Sequence, residues 1–328
     1  MKAAFIEKVG PVENIKVGDL AWQPPQEEEV AIRVLATTIN IIDCYIRSGK
    51  YPQHLPKPFI IGRDVCGEIF QTGARVTRFK KGQKVWSNYL GFNGRQGTFA
   101  EYLVTHQDTI YPLPEGVDPK KAVVTLHSAL TAYIGLYREA DINQKTNILI
   151  NGAAGNVGSC VLQMAKAAGL KVCAGTSTDE KIKYCRKLGA DYVFNYKDHH
   201  EYAALKDHFP DGFDVVWNTS LQHDFKLLLP LLAQRGIYML MSGLGNDSVL
   251  PLGQVYTKDA SIKGFAITNA TKAEYDQAAE VINSLFLENK LEVRIADTLP
   301  LEQARKAHNL VEQGGLWGKL LIMVQSSR

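Results

Sequence analysis

Two patterns of hydrophobic and polar positions divide the chain. Through residue 122 the apolar residues alternate or cluster in short runs (VAIRVLATTI, KVWSN, FAEYLVTH) between Pro- and Gly-rich turns such as PQHLPKP and PLPEG. This predicts a strand-rich region with little helix. From residue 123 the apolar runs ILI, KVCA, ADYVFNY, FDVVWN, GIYMLMS and SIKGF alternate with helix-like stretches over 157–168, 178–188, 201–208 and 222–234. That alternation predicts a parallel sheet built from βαβ units. After 266 come two more helical stretches, TKAEYDQAAEVINSLFLENK and LEQARKAHNLVEQG, and a closing strand, KLLIMV. This tail is too short for a core of its own and is expected to return to the first region. The predicted domains are therefore 1–122 with 266–328, and 123–265.

Composition adds bounds. A chain of 328 residues has the length for two cores, and 45% hydrophobic with 22% charged residues is ordinary for globular protein. Lys+Arg 37 against Asp+Glu 34 is nearly balanced, with no like-charge run, which points to small-molecule partners and away from nucleic acid or a membrane surface. The start MKAAFIEKVG lacks the apolar core of a signal peptide, and five scattered cysteines form no CxxC pair. A cytoplasmic setting with reduced thiols is expected.

The stretch NILINGAAGNVGSCVLQMAKAAG passes from a buried strand through glycines into a helix. Gly152, Gly155 and Gly158 form GxxGxxG inside a βαβ unit, where backbone N–H groups of Ala154, Gly155, Asn156 and Val157 would face a pyrophosphate at the positive end of the helix. The same small residues would also suit a plain strand-to-helix connection. In an NAD site an acid closes the second strand and binds the ribose hydroxyls. Here the sequence reads CAGTSTDEK, with Thr176 and Ser177 at that place and Lys181 one helical turn further. Hydroxyls and an ammonium suit a phosphate, so NADPH (NADP+) is the favoured cofactor. A strand end shifted to Asp179 would restore NAD, and Ser177 with Glu180 would equally make a capping box.

The order of elements, with IRSGKYP, GTFAEYLVT, the glycine stretch, KLGADYVFNY and GKLLIMV, resembles the medium-chain dehydrogenase/reductase superfamily over essentially the whole chain. Within it the chain is most similar to the zinc-independent quinone oxidoreductase (zeta-crystallin-like) branch. The resemblance implies an α/β protein: a doubly wound Rossmann domain inserted between two segments of a GroES-like, β-rich catalytic domain, acting as a homodimer, with edge strands near SIKGFAI as the candidate contact. It also implies cofactor contacts from Thr131, Tyr196 on the 2′-phosphate side beside Lys181, Gly243 and Leu244 after the fifth strand, and Lys319. Asn156 replaces a common glycine, tolerable because Asn enters left-handed conformations more readily than most residues. WNTS at 217–220 lacks the glycine that usually follows the fourth strand.

Zinc relatives bind their metal with a Cys, a Gly-His-Glu motif and a later Cys or acid. The matching positions are Asn40 and Gly62-Arg63-Asp64, so no metal site is expected. Without a Lewis acid the acceptor must take hydride with little help, as quinones and α,β-unsaturated carbonyls do through hydrogen bonds to the developing oxyanion. By resemblance Asn40, Asp43, Tyr45 and Tyr51 line that pocket: Tyr51 or Tyr45 donates to the substrate oxygen, and Asn40 positions substrate or nicotinamide. Asp43 equally suits the cap of a helix beginning at IDCYIR, and Tyr45 equally suits a packing role with its hydroxyl satisfied. Arg63 is expected to pair with Asp64 or Asp43, with binding of an anionic substrate group as the second option. The competing functions are a cofactor-binding relative without turnover, structural or RNA-binding, and a zinc-type alcohol dehydrogenase.

Overall fold

The structure is a computed structural model and describes residues 1–324. Two compact units form, one from 1–127 with the C-terminal segment that begins at 292, and one from 128–291. The chain thus leaves the second unit at 291/292, later than the expected 265/266, because the helix Lys272–Leu287 belongs to that unit: Tyr275 Oη donates to Ile267 O at 3.0 Å and Arg138 pairs with Glu274 at 3.4 Å.

The second unit holds a six-stranded, wholly parallel sheet among the described residues, in the spatial order Tyr192–Asn195, Lys171–Thr176, Asn147–Asn151, Phe213–Asn218, Leu232–Leu240, Ser261–Gly264. This is the doubly wound order, with the reversal beside Asn147–Asn151, where ligands of such sheets bind. Phe213–Asn218 is a central strand buried on both faces, as its continuous apolar run requires. Its Trp217 fits only because residue 135 is glycine, where a Cβ would stand 2.1 Å from the indole ring. The helix expected over 222–234 is instead a short helix, Phe225–Leu228, a 3-10 turn, Leu229–Leu231, and the start of the strand Leu232–Leu240. Pro230 lacks the N–H that a continuing helix needs and ends it.

The first unit is built on a mostly antiparallel seven-stranded sheet and a three-stranded one among the described residues. Two of its strands, Ile295–Pro300 and Lys319–Met323, come from the C-terminal segment and run parallel to each other. Lys319–Met323 lies antiparallel beside Glu29–Thr38, with Leu321 opposite Thr38, so the tail does complete the first unit's sheet.

Candidate active site

Strand register gathers one buried polar cluster in the first unit. With Leu321 opposite Thr38, two further steps along each antiparallel strand bring Lys319 beside Asn40. With Val65 opposite both Thr37 and Ser87, one step back from Val65 brings Asp64 beside Asn88. The side chains then lock these neighbours. Lys319 Nζ donates to Asn40 Oδ1 and to Ile39 O (3.4 Å), Asn40 Nδ2 donates to Asp64 Oδ2 (2.7 Å) and Asp43 Oδ2 (3.2 Å), and Asn88 Nδ2 donates to Asp64 Oδ1.

Asn40 and Asp43 are 3% and 4% exposed. Asn40 precedes the helix Ile41–Ser48, and its N–H donates to Asp43 Oδ2 at 2.8 Å, so Asp43 does the capping work that a first-turn acid can do. Both hydrogens of the Asn40 amide are engaged by carboxylates. Tyr45 and Tyr51 are half-buried, linked by Tyr51 N–H to Tyr45 O at 3.1 Å, and Tyr51 also packs on the apolar core. Asn88, directly after the run KVWS, is a cluster member that no local sequence pattern marks.

Arg63 departs from expectation. It pairs with neither Asp64 nor Asp43: its side chain is 0% exposed, and none of its three guanidinium nitrogens finds a hydrogen-bond partner among the described residues. Instead the guanidinium lies 4.2 Å from the Phe92 ring centroid. Burial raises the Asp43 carboxyl, and the Arg63 charge draws it back down. Burial also pushes Asp64 up to about 6, against the pull of the Lys319 ammonium and the Asn40 amide. His127 is driven well down by burial, helped by the Lys319 and Arg63 charges, and is a neutral imidazole.

The second unit carries the glycine turn. Gly152 has φ +83°, and a Cβ there would stand 2.2 Å from Thr219 Oγ1; at Gly158 it would stand 2.3 Å from Gly152 O. Close crossing of strand end and helix thus demands both glycines. The N–H of Gly155 is spent inside the turn on Gly152 O (3.0 Å) and does not face outward as expected. The helix Asn156–Ala167 begins immediately after it, so Asn156 and Val157 form its first turn. Asn156 has no positive φ, so its left-handed tolerance is not used. Ala154 is buried in the turn.

Thr176 ends the second strand, and Tyr196 N–H donates to its carbonyl at 2.9 Å, which brings Tyr196, Thr176 and Ser177 together. The next helix, Asp179–Lys187, is capped by Thr178, whose Oγ1 accepts from Lys181 N at 3.4 Å. The Ser177–Glu180 capping box is therefore not formed, and Asp179 is a helix residue rather than a strand end. Gly243 has φ +99° in the loop after Leu232–Leu240, and Leu244 is 56% exposed there. Thr131 is buried on the helix Pro119–Tyr133. Lys319 belongs to the first unit and is bound to Asn40.

Sequence reasoning missed the polar strand ends that brace the turn. Thr219 Oγ1 donates to Asn151 O (3.0 Å) and Gly152 O (3.3 Å), Asn151 Nδ2 donates to Asn218 Oδ1 (3.0 Å), and Asn218 Nδ2 reaches His223 Nδ1 (3.2 Å). The missing glycine of WNTS was the available signal, because Thr219 supplies the hydroxyl that closes over Gly152.

Comparison with known proteins agrees with this geometry. The family described as alcohol dehydrogenase GroES-like domain matches residues 26–115, and that described as zinc-binding dehydrogenase matches 156–284. The quinone oxidoreductase of Sus scrofa is 32% identical over 331 residues, covering 99% of this chain and 98% of the pig protein. The chain belongs to the medium-chain dehydrogenase/reductase superfamily. Escherichia coli quinone oxidoreductase, solved with NADPH, superposes with a TM-score of 0.84 at 26% identity over 98% of this chain and 100% of that one. A structure described as an NAD-dependent alcohol dehydrogenase reaches 0.88 at 25% identity over 99% of this chain and 100% of that one.

The superfamily implies a nicotinamide cofactor, and the Gly152–Gly158 crossing with its exposed helix start fits one. The zinc of some members is another matter. At the matching positions stand an amide already bound to two carboxylates and an ammonium, a guanidinium, and a carboxylate held by two amides. Two cations among carboxylates already engaged by amides are not the donor set of a divalent zinc site.

Proposed function

We propose that this chain is a zinc-independent, NADPH-dependent reductase that delivers hydride to a quinone or an α,β-unsaturated carbonyl. The observation that carries the reading is the buried network in which Lys319 holds Asn40 and Asn40 holds Asp64: Asn40 and Asp64, two of the positions that match metal ligands of zinc relatives, are engaged in hydrogen bonds with side chains. The quinone oxidoreductases that resemble the chain over its whole length support the acceptor class. Thr176, Ser177, Lys181 and Tyr196 support NADPH, because hydroxyls and an ammonium favour a 2′-phosphate and no carboxylate ends the strand.

When bound, the nicotinamide supplies the hydride. Asn156 and Val157 hold the pyrophosphate at the helix start, and Thr131, Gly243 and Leu244 complete the cofactor's seat. Tyr45 and Tyr51, both half-buried, carry the hydroxyls that would donate to the acceptor oxygen, since the Asn40 amide is already engaged by two carboxylates. Asn40 and Asp43 are positioning residues that fix the loop bearing the two tyrosines. A homodimer joined at the edge strand Ser261–Gly264 belongs to the same reading.

The test is oxidation of NADPH and NADH by EDTA-treated protein with a benzoquinone, a naphthoquinone, an alkyl enone and a simple aldehyde. Turnover of quinone or enone with NADPH, unchanged by chelation, supports the reading. Cofactor binding without turnover would move the assignment to a non-catalytic relative, and chelator-sensitive aldehyde reduction to a zinc enzyme.

A further inference from the structure

A guanidinium taken out of water is costly unless an anion or several acceptors compensate it. Arg63 has no anion or acceptor in hydrogen-bond contact among the described residues: it is 0% exposed, and Nε and both terminal nitrogens lack hydrogen-bond partners. Its surroundings do not balance it. Asp43 is near enough for its charge to be felt, but its carboxylate accepts its hydrogen bonds from Asn40. Asp64 is held by Asn40 and Asn88. The other groups nearby are a neutral imidazole at His127, the Lys319 ammonium, and Arg95, whose guanidinium lies 4.3 Å from the same Phe92 ring that Arg63 covers.

We infer that Arg63 is an anion-binding residue whose partner is a small planar monoanion of carboxylate type. The fork of parallel N–H groups on a guanidinium matches the two oxygens of a carboxylate. A dianion such as phosphate would bring a second negative charge near the Asp43 carboxylate, whose field already reaches Arg63, and is disfavoured. The carboxylate has two possible sources, a free small acid or the acceptor itself. The second rests on the reductase reading and narrows it to quinones or enones that carry a carboxylate.

The first measurement needs no activity. Thermal denaturation of the full chain is followed across a sodium formate series at constant ionic strength, for wild type, Arg63→Met and Arg63→Lys. A saturable rise in Tm for wild type, lost in Arg63→Met and weakened in Arg63→Lys, is expected. Equal responses in all three would overturn the inference. Should Arg63→Met not fold, bromide-soaked crystals of wild type decide: anomalous density at the guanidinium supports the site, and waters bridging Arg63 to Asp43 in its place overturn it.

The second measurement separates the sources by comparing kcat/KM for a neutral naphthoquinone and its carboxylated analogue. A preference of about tenfold for the acid in wild type, abolished in Arg63→Lys, assigns the anion to the acceptor; the size is that of one charge-assisted contact. Formate binding with no such preference overturns that assignment and leaves a free anion. Formate binding without turnover of either quinone counts against the reductase reading alone.

Discussion

Lys319 Nζ donates to the amide oxygen of Asn40 across 279 residues of sequence, and this bond fixes which way the Asn40 amide faces. With its oxygen turned to Lys319, the amide nitrogen can serve Asp43 and Asp64 together. The C-terminal strand therefore does more than complete a sheet: it supplies the cation that organises the buried cluster.

Lys319→Met should break that arrangement. The ammonium is the largest influence drawing the Asp64 carboxyl down, so its loss should move Asp64 above about 6. Leaving two buried acids without this cation should also cost about 3 kcal/mol of stability. Urea denaturation measures the second effect, and carboxyl carbon shifts of Asp64 followed by NMR measure the first. An unchanged Asp64 titration in Lys319→Met would mean that the ammonium is not part of the network.

Much of this was legible in the sequence, for reasons that differ between the units. The Rossmann order follows from apolar runs such as FDVVWN, which have no other stable place than the middle of a sheet. The turn at Gly152 and Gly158 was legible because steric demand leaves a glycine signature. Asn88 and the Lys319–Asn40 bond were not, because they depend on register between strands distant in sequence, which no local pattern encodes. The setting of Arg63 is hidden for a related reason: adjacency to Asp64 in sequence suggests pairing, but neighbouring residues near a strand direct their side chains to opposite faces.

Gly158→Ala should weaken cofactor binding at least about tenfold and destabilise the second unit by roughly 1–3 kcal/mol, because the new methyl must displace backbone rather than a flexible side chain. The contact is 2.3 Å, to Gly152 O. Gly253→Ala is the matched control: nothing lies within 4 Å of its Cβ position, and it sits in the helix Leu252–Tyr256, where alanine should gain roughly 0.5–1 kcal/mol. Calorimetric titration with NADPH reads the first effect; similar affinities for both variants would remove the glycine crossing from the cofactor site.

Lys181→Ala should raise the Kd for NADPH about tenfold while leaving that for NADH nearly unchanged, the difference being about 1.4 kcal/mol for one lost charge-assisted contact. Equal loss for both cofactors would show that Lys181 supports the helix and not a 2′-phosphate. The comparison is clean because the helix cap belongs to the Thr178 hydroxyl and the Lys181 backbone N–H, which the substitution preserves.

Asp64 and His308 should impose opposite slopes on stability as pH changes. Asp64 has its carboxyl raised from 3.8 to about 6 by burial, so its contribution is complete below about pH 4 and is lost as pH rises through 6, amounting to about 3 kcal/mol. His308 is buried against Cys44 Sγ (3.6 Å) and the Phe99 ring, and burial lowers it from 6.5 to about 3. The unfolded chain takes up that proton first, so the His308 contribution is complete above about pH 6.5 and is lost as pH falls toward 3. Between pH 4 and 6 the two effects oppose each other, and wild type should show a flattened profile. Asp64→Asn removes the rising-pH loss, so its stability should climb with pH across that window. His308→Phe keeps a ring in the cavity without the titration, so its stability should fall instead. Denaturant midpoints at half-unit pH steps would show the two variants diverging on either side of wild type, whereas parallel curves would mean that neither buried group changes its proton on unfolding in this range.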